Sequence, residues 1–141
     1  MQLKFKKLHP DAKIPSYAYT GDAGLDLYTS EDLIIKKGER KSVALGIAVE
    51  IPDGYVGILF DKSGLSHKYG LKSYGGIIDS GYRGEIHVGM MNLSDADYEF
   101  KTGDKIIQIL IMPVLQAVVI ECADLTDSDR GVGAFGSSGA K

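Results

Sequence analysis

The sequence predicts an all-β fold, a sandwich or barrel of many short strands with one short helix. The clearest observation is a strict two-residue period. Val43, Leu45, Ile47, Val49 and Ile51 alternate with Ser42, Ala44, Gly46, Ala48 and Glu50, which sorts the two sets onto opposite faces of a strand. Further short apolar runs are separated by polar turns such as Lys36-Lys37-Gly38-Glu39 and Ser94-Asp95-Ala96-Asp97. A single stretch, Ser63 to Gly70, reads as about two helical turns closed by a glycine stop.

In chain order, the strands are predicted at Leu3–Leu8, Leu25–Tyr28, Leu33–Ile35 and through the alternating run to Ile51. Pro52-Asp53-Gly54 supplies a turn into Tyr55–Phe60. The helix follows, then Glu85–Leu93, Lys105–Met112 and Ala117–Cys122. Residues 124–141 differ in character, with four Gly, three Ser and three Asp and few apolar side chains. Such a composition buries too little surface to offset its ordering entropy, so this segment is expected to be mobile without a ligand. The expected organisation is a barrel over residues 1–123 and a glycine-rich arm over 124–141.

Composition narrows the function classes. Sixteen basic against nineteen acidic side chains give a net charge of −3, which disfavours nucleic acid as a partner held by bulk charge. The single cysteine, Cys122, excludes an internal disulfide, fits a reducing, cytoplasmic setting, and is expected to be a small buried hydrophobe. The N-terminus lacks the apolar core of a signal peptide, and the run Ile106–Ile120 is broken by Gln108, Pro113 and Gln116, so no membrane association is expected. His9, His67 and His87 show no metal-ligand spacing. Gly131, Gly133 and Gly136 match the dinucleotide fingerprint by letter, but only five residues follow, too few for the helix it requires.

Three constellations could carry chemistry. Asp61-Lys62-Ser63-Gly64-Leu65 lies at a strand-to-helix junction, where unpaired N–H groups, the Lys62 charge and the Ser63 hydroxyl suit a phosphate. A plain helix cap made by Asp61 or Ser63 is the alternative there. In Gly75–Glu85, Ser80-Gly81 can make a tight hairpin turn, with glycines letting a planar base approach the main chain. Tyr82 could pack on a sugar and exclude a 2′-hydroxyl, and Asp79 could hold a 3′-hydroxyl and place a water. An ordinary hairpin is the competing reading. In the arm, Arg130 is a fork suited to phosphate oxygens and Phe135 is a lone aromatic, the makings of a flap over a phosphorylated aromatic ligand, or else of a solubilising tail. Asp26 inside an apolar strand and Gln108 on an apolar strand face are polar groups where apolar ones belong, and each is either functional or satisfied structurally.

Together, Ala23–Leu27, Lys62–Leu65, Gly76–Glu85, Gly103–Leu110 and Arg130–Gly139, in this order, resemble the five motifs of the trimeric dUTP pyrophosphatases (dUTPases). The resemblance implies a distorted jelly-roll β-barrel assembled as a homotrimer, with the arm of one chain closing over a neighbour's site. It implies hydrolysis of dUTP to dUMP and pyrophosphate by in-line water attack on the α-phosphorus, assisted by Mg²⁺, which keeps uracil out of DNA and supplies dUMP for dTMP synthesis. By the same resemblance Asp79 would orient the water. Ser73, Gly76, Ile77, Ile78, Tyr82, His87 and Phe135 would contact uracil or deoxyribose. Lys62, Ser63, Gly64, Gln108, Arg130, Gly136, Ser137 and Ser138 would hold phosphates, and Asp26 would meet the metal through water. The chain departs from the family pattern at Lys62, where Arg is usual, at Gly81 for a common acid, at Ser73 for an Asn, and at Ala134 for a Gly. The rival readings are a dCTP deaminase on the same fold and a non-enzymatic nucleotide-binding or capsid-like jelly roll.

Overall fold

The computed structural model describes residues 1–135, 137 and 139. Within them the chain is mostly β. The elements run β1 (Lys4–Lys7), β2 (Leu25–Tyr28), β3 (Leu33–Ile35), β4 (Arg40–Glu50), β5 (Tyr55–Phe60), α1 (Ser63–Tyr69), β6 (Leu71–Tyr74), β7 (Ile77–Ile78), β8 (Glu85–Asn92), β9 (Tyr98–Phe100) and β10 (Lys105–Pro113). They form three antiparallel sheets: β1-β4-β8-β6, β2-β10-β5-β7, and the pair β3-β9. No helix among the described residues is long and apolar enough to cross a membrane.

The alternating run becomes β4, which pairs with both β1 and β8. Its register against β8 shifts between Ala44 and Ala48, and Gly46 in the middle takes a left-handed φ of 67°. The freed Gly46 carbonyl accepts from Leu8 and His9 N–H, so the irregularity in one pairing anchors the neighbouring segment. Between the sheets, Leu27, Ile35, Leu45, Ile47, Ile86, Phe100, Ile107 and Ile109 are fully buried. Each such side chain contributes roughly 1.5–3 kcal/mol by leaving water. Among the polar residues buried with it are Thr29 and Asn92. The Asn92 amide donates to Ile35 and Ala96 carbonyls at 2.9 and 2.8 Å and accepts from Ser94 N–H and hydroxyl, so its burial leaves nothing unpaired.

The helix forms where predicted and stops at Gly70, in the left-handed conformation (φ 63°), whose N–H returns to the last-turn carbonyls. Its cap differs from expectation. Lys62 holds the N-cap position without a side-chain cap bond, because the Asp61 carboxylate turns toward β6. There it accepts from Ser73 N–H (2.7 Å), Ser73 hydroxyl (2.5 Å) and the Lys72 ammonium, tying the end of β5 to β6.

Two other expectations fail for physical reasons. The glycine-rich run around Ser80-Gly81 does not close a hairpin. Its flanking strands β7 and β8 lie in different sheets, and the turn marked by Tyr82 N–H donating to the Asp79 carbonyl (3.0 Å) is a corner between them. Nor does 117–122 form a strand, since among the described residues it finds no pairing partner in its own chain. Leu115, Val118 and Val119 are 97, 91 and 92% exposed, and Cys122 is exposed rather than buried.

Burial pushes the Asp61 carboxyl up, but the Lys72 and Ser73 donors outweigh it and hold it below the usual carboxylate range. A depressed acid contributes stability above its unfolded-state value and loses it as the pH falls through the folded one. Asp61→Asn should therefore lower unfolding free energy by about 2 kcal/mol at neutral pH. That difference should shrink as the pH is taken below ~4, as followed by urea unfolding at fixed chain concentration.

Candidate active site

The outer face of β2, β10 and β5 carries the first group of polar side chains. Gln108 lies opposite Asp26 on one side and opposite Phe60 on the other, so these three form a row across the sheet. The next row, Leu25-Ile109-Leu59, points to the opposite face and is buried. The two-residue period thus sends one row into the core and the other outward.

Asp26 is nevertheless only 4% exposed, because the chain crosses over it. Its N–H donates to the Ser16 carbonyl at 2.9 Å, and lysines close on it from two sides. Lys62, at the start of α1, donates to Oδ1, and Lys105 reaches Oδ2 at 2.6 Å. Burial pushes the Asp26 carboxyl up, while the hydrogen bonds and charges of Lys105 and Lys62 more than reverse this and hold it below the usual range. Gln108 donates from Nε2 to the Asp61 carbonyl at 3.0 Å. A Cβ on Gly24 would lie 2.7 Å from Gln108 Oε1, so a side chain at position 24 would displace that amide. Around these groups opens a cleft of about 670 Å³ lined by Tyr19, Asp26, Phe60, Lys62, Lys105 and Gln108, among others. Its lining sets the Lys62 and Lys105 ammonium groups and the Gln108 amide beside the carboxylates of Asp22, Asp26 and Asp61, of which Asp26 is held by the two lysines and Asp61 by Lys72.

A second, smaller cleft of about 200 Å³ is lined by Leu59, Gly76, Ile77, Ile78, Tyr82, Ile86 and His87. Gly76 has φ 116° and sends its carbonyl to Leu59 N–H at 2.8 Å. A Cβ there would also press on the Leu59 carbonyl oxygen at 3.1 Å, so only glycine serves. The Tyr82 hydroxyl donates to the Glu85 carbonyl at 2.6 Å, which fixes the ring at the cleft wall. Asp79 follows directly on Ile78 and is exposed, and its carboxylate makes no ion pair among the described residues. This cleft, apolar with accessible main chain, suits a small planar group.

The sequence-predicted residues therefore divide. Gly76, Ile77, Ile78, Tyr82 and His87 converge on the small cleft, and Lys62, Gln108 and Asp26 on the large one, with Ser63 and Gly64 exposed beside Lys62. The two clefts share no lining residue. Ser73 lines neither, and its N–H and hydroxyl are both spent on Asp61. Arg130 and Phe135 are exposed away from both, and Arg130 Nε donates to Ser137 at 3.0 Å. Gly136 and Ser138 lie outside the described residues. Lys105 carries no role in the sequence reading. The signal for Lys105 was the consecutive pair Ile106-Ile107, which breaks the two-residue period.

As a magnesium site the donor set does not fit. Both Asp26 oxygens are taken by ammonium groups, and no three His, Cys, Asp or Glu side chains converge among the described residues. A metal entering the large cleft would have to bring most of its ligands with it.

The dUTPase family model matches residues 10–139. A deoxyuridine 5'-triphosphate nucleotidohydrolase of Nautilia profundicola is 47% identical over 99% of both chains, and that of Thermobifida fusca 42% identical over 99% of this chain and 79% of its own. Among solved structures, a mutant dUTPase of Staphylococcus bacteriophage 80alpha with dUpNHpp superposes with a TM-score of 0.93 at 28% identity, covering 98% of each chain. A mutant dUTPase from phage phi11 of S. aureus, described with a structural Mg(II) ion, reaches 0.82 at 27% identity over 88% of this chain and 98% of its own. With its polar rows, its glycine-shaped cleft and its family match running nearly end to end, the chain belongs to the dUTPase family.

Proposed function

We propose that the chain hydrolyses dUTP to dUMP and pyrophosphate by water attack on the α-phosphorus. The observation that carries this reading is the pair of clefts without a common residue, one sized and lined for a pyrimidine, the other roomy enough for phosphates and lined by Lys62, Lys105 and Gln108 as donors. Uracil would be read by main-chain groups of Gly76, Ile77 and Ile78, with His87 beside it and Tyr82 against the deoxyribose. Asp79, exposed and without a cation partner among the described residues, would orient the attacking water and accept the 3′-hydroxyl. Lys62, Ser63, Gly64 and Gln108 would hold phosphates. Magnesium would arrive as the salt of the triphosphate, whose own oxygens supply its ligands. For such a reaction the protein contributes mostly positioning and charge neutralisation.

Because one substrate must touch both clefts, the reading favours a site built from more than one copy, in a homotrimer of jelly-roll barrels. The bare apolar run Val114–Ile120 supports this, since such a patch calls for cover by another chain. Residues 124–141 would act as the arm, bringing Arg130, Phe135, Gly136, Ser137 and Ser138 to a neighbour's site. A cytoplasmic setting follows from the nucleotide substrate and the single cysteine.

Incubation of the protein with each deoxynucleoside triphosphate and Mg²⁺ should release pyrophosphate from dUTP in strong preference to dTTP and dCTP. Equal release from all three, or none, contradicts the reading. Asp79→Asn should retain dUTP binding while kcat falls roughly 10³-fold or more, measured by pyrophosphate release. Deleting residues 130–141 should leave the oligomer intact by light scattering and remove most of the activity. An undiminished rate would reject the role of the arm.

A further inference from the structure

Lys105 reaches Asp26 only through an irregularity in β10. Gln108 pairs with Asp26 and Ile107 with Leu27, but Lys105 pairs with Tyr28, so one extra residue is inserted between Lys105 and Ile107. In an unbroken strand Lys105 would share the core face of Ile107 and Ile109. The bulge turns it to the face of Asp26 and Gln108 and lets Ile106 and Ile107 both be buried. A charged side chain has been re-aimed at a buried carboxylate.

That carboxylate already has a partner in Lys62. A lysine ammonium is a point charge without the fork by which arginine can serve a carboxylate and a phosphate together. If Lys62 alone neutralised Asp26, engaging a phosphate would leave a buried carboxylate bare, and Asp26 would hold Lys62 back. With Lys105 on Oδ2, the cluster of one acid and two lysines keeps Asp26 paired whichever way Lys62 points.

We propose that Lys105 is a positioning residue for phosphate binding, which secures Asp26 from its second oxygen and so leaves the Lys62 ammonium exchangeable onto the substrate. The inference rests on the reading of Lys62 as a phosphate ligand given above. It makes the bulge a part of the site, and it gives this chain a device suited to lysine at position 62.

The test is the affinity of the imido analogue dUpNHpp with Mg²⁺, measured by calorimetry, alongside steady-state kinetics. Lys105→Met should weaken the analogue and raise KM about tenfold, with a smaller change in kcat. Lys105→Arg should restore affinity to within about threefold of the parent, because it returns the charge to Asp26. Adding Asp26→Asn to Lys105→Met should recover part of the lost affinity, since no carboxylate then competes for Lys62. Unchanged affinity in Lys105→Met, an equal loss in Lys105→Arg, or no recovery in the double variant overturns the proposal. If Lys105→Met does not fold, Lys105→Gln is read in the same way, and failure of both to fold makes the residue structural and also overturns it. Failure of the parent protein to bind the analogue would instead sink the underlying functional reading.

Discussion

A carboxylate out of reach of water must be matched by charge, and Asp26 imposes this demand on the elements around it. It sits on the outward row of a sheet whose other face is wholly apolar. Meeting it takes a lysine from the start of α1 and a second from the bulge of β10, while the Asp26 main-chain N–H bridges to the Ser16 carbonyl. Those three contacts fix where the helix begins, how β10 is kinked and how the N-terminal segment crosses the sheet. The large cleft opens around that arrangement, with both ammonium groups in its lining.

The small cleft is built by a different constraint, close approach of main chain to main chain. Gly76 packs against Leu59, and the turn at Asp79–Tyr82 carries the chain from one sheet to the other. A corner of this kind leaves main-chain groups near its strands without a ladder partner. Such groups are what a planar base with its own donors and acceptors can use. The apolar lining with its main-chain groups and the lysine-bearing lining thus belong to separate clefts of the fold.

Much of this was legible in the residues. The period over 43–51, the Pro52–Gly54 turn and the Gly70 stop each fixed an element locally, and β4, β5 and α1 follow them. Asp26 and Gln108 stood out because a polar group on an apolar strand face requires a reason. What stayed hidden depended on pairing. β7 has two residues and exists only because β5 lies beside it, and the supposed hairpin failed because its strands belong to different sheets. A helix cap by Asp61 or Ser63 is the local alternative at that junction, but the Asp61 carboxylate takes the tertiary option of Ser73 and Lys72. A strand at 117–122 and a buried Cys122 both require a neighbouring element that the described chain does not provide.

In the proposed function, the base-reading and phosphate-holding groups that act on one substrate come from different copies of the chain. Mixing two inactive variants tests it most directly. Asp79→Asn and Lys62→Ala chains, denatured together in equal amounts and refolded, should regain about a quarter of the parental dUTP hydrolysis if copies assemble at random, because sites then form with both intact residues. A mixture no more active than either variant refolded alone would contradict the account.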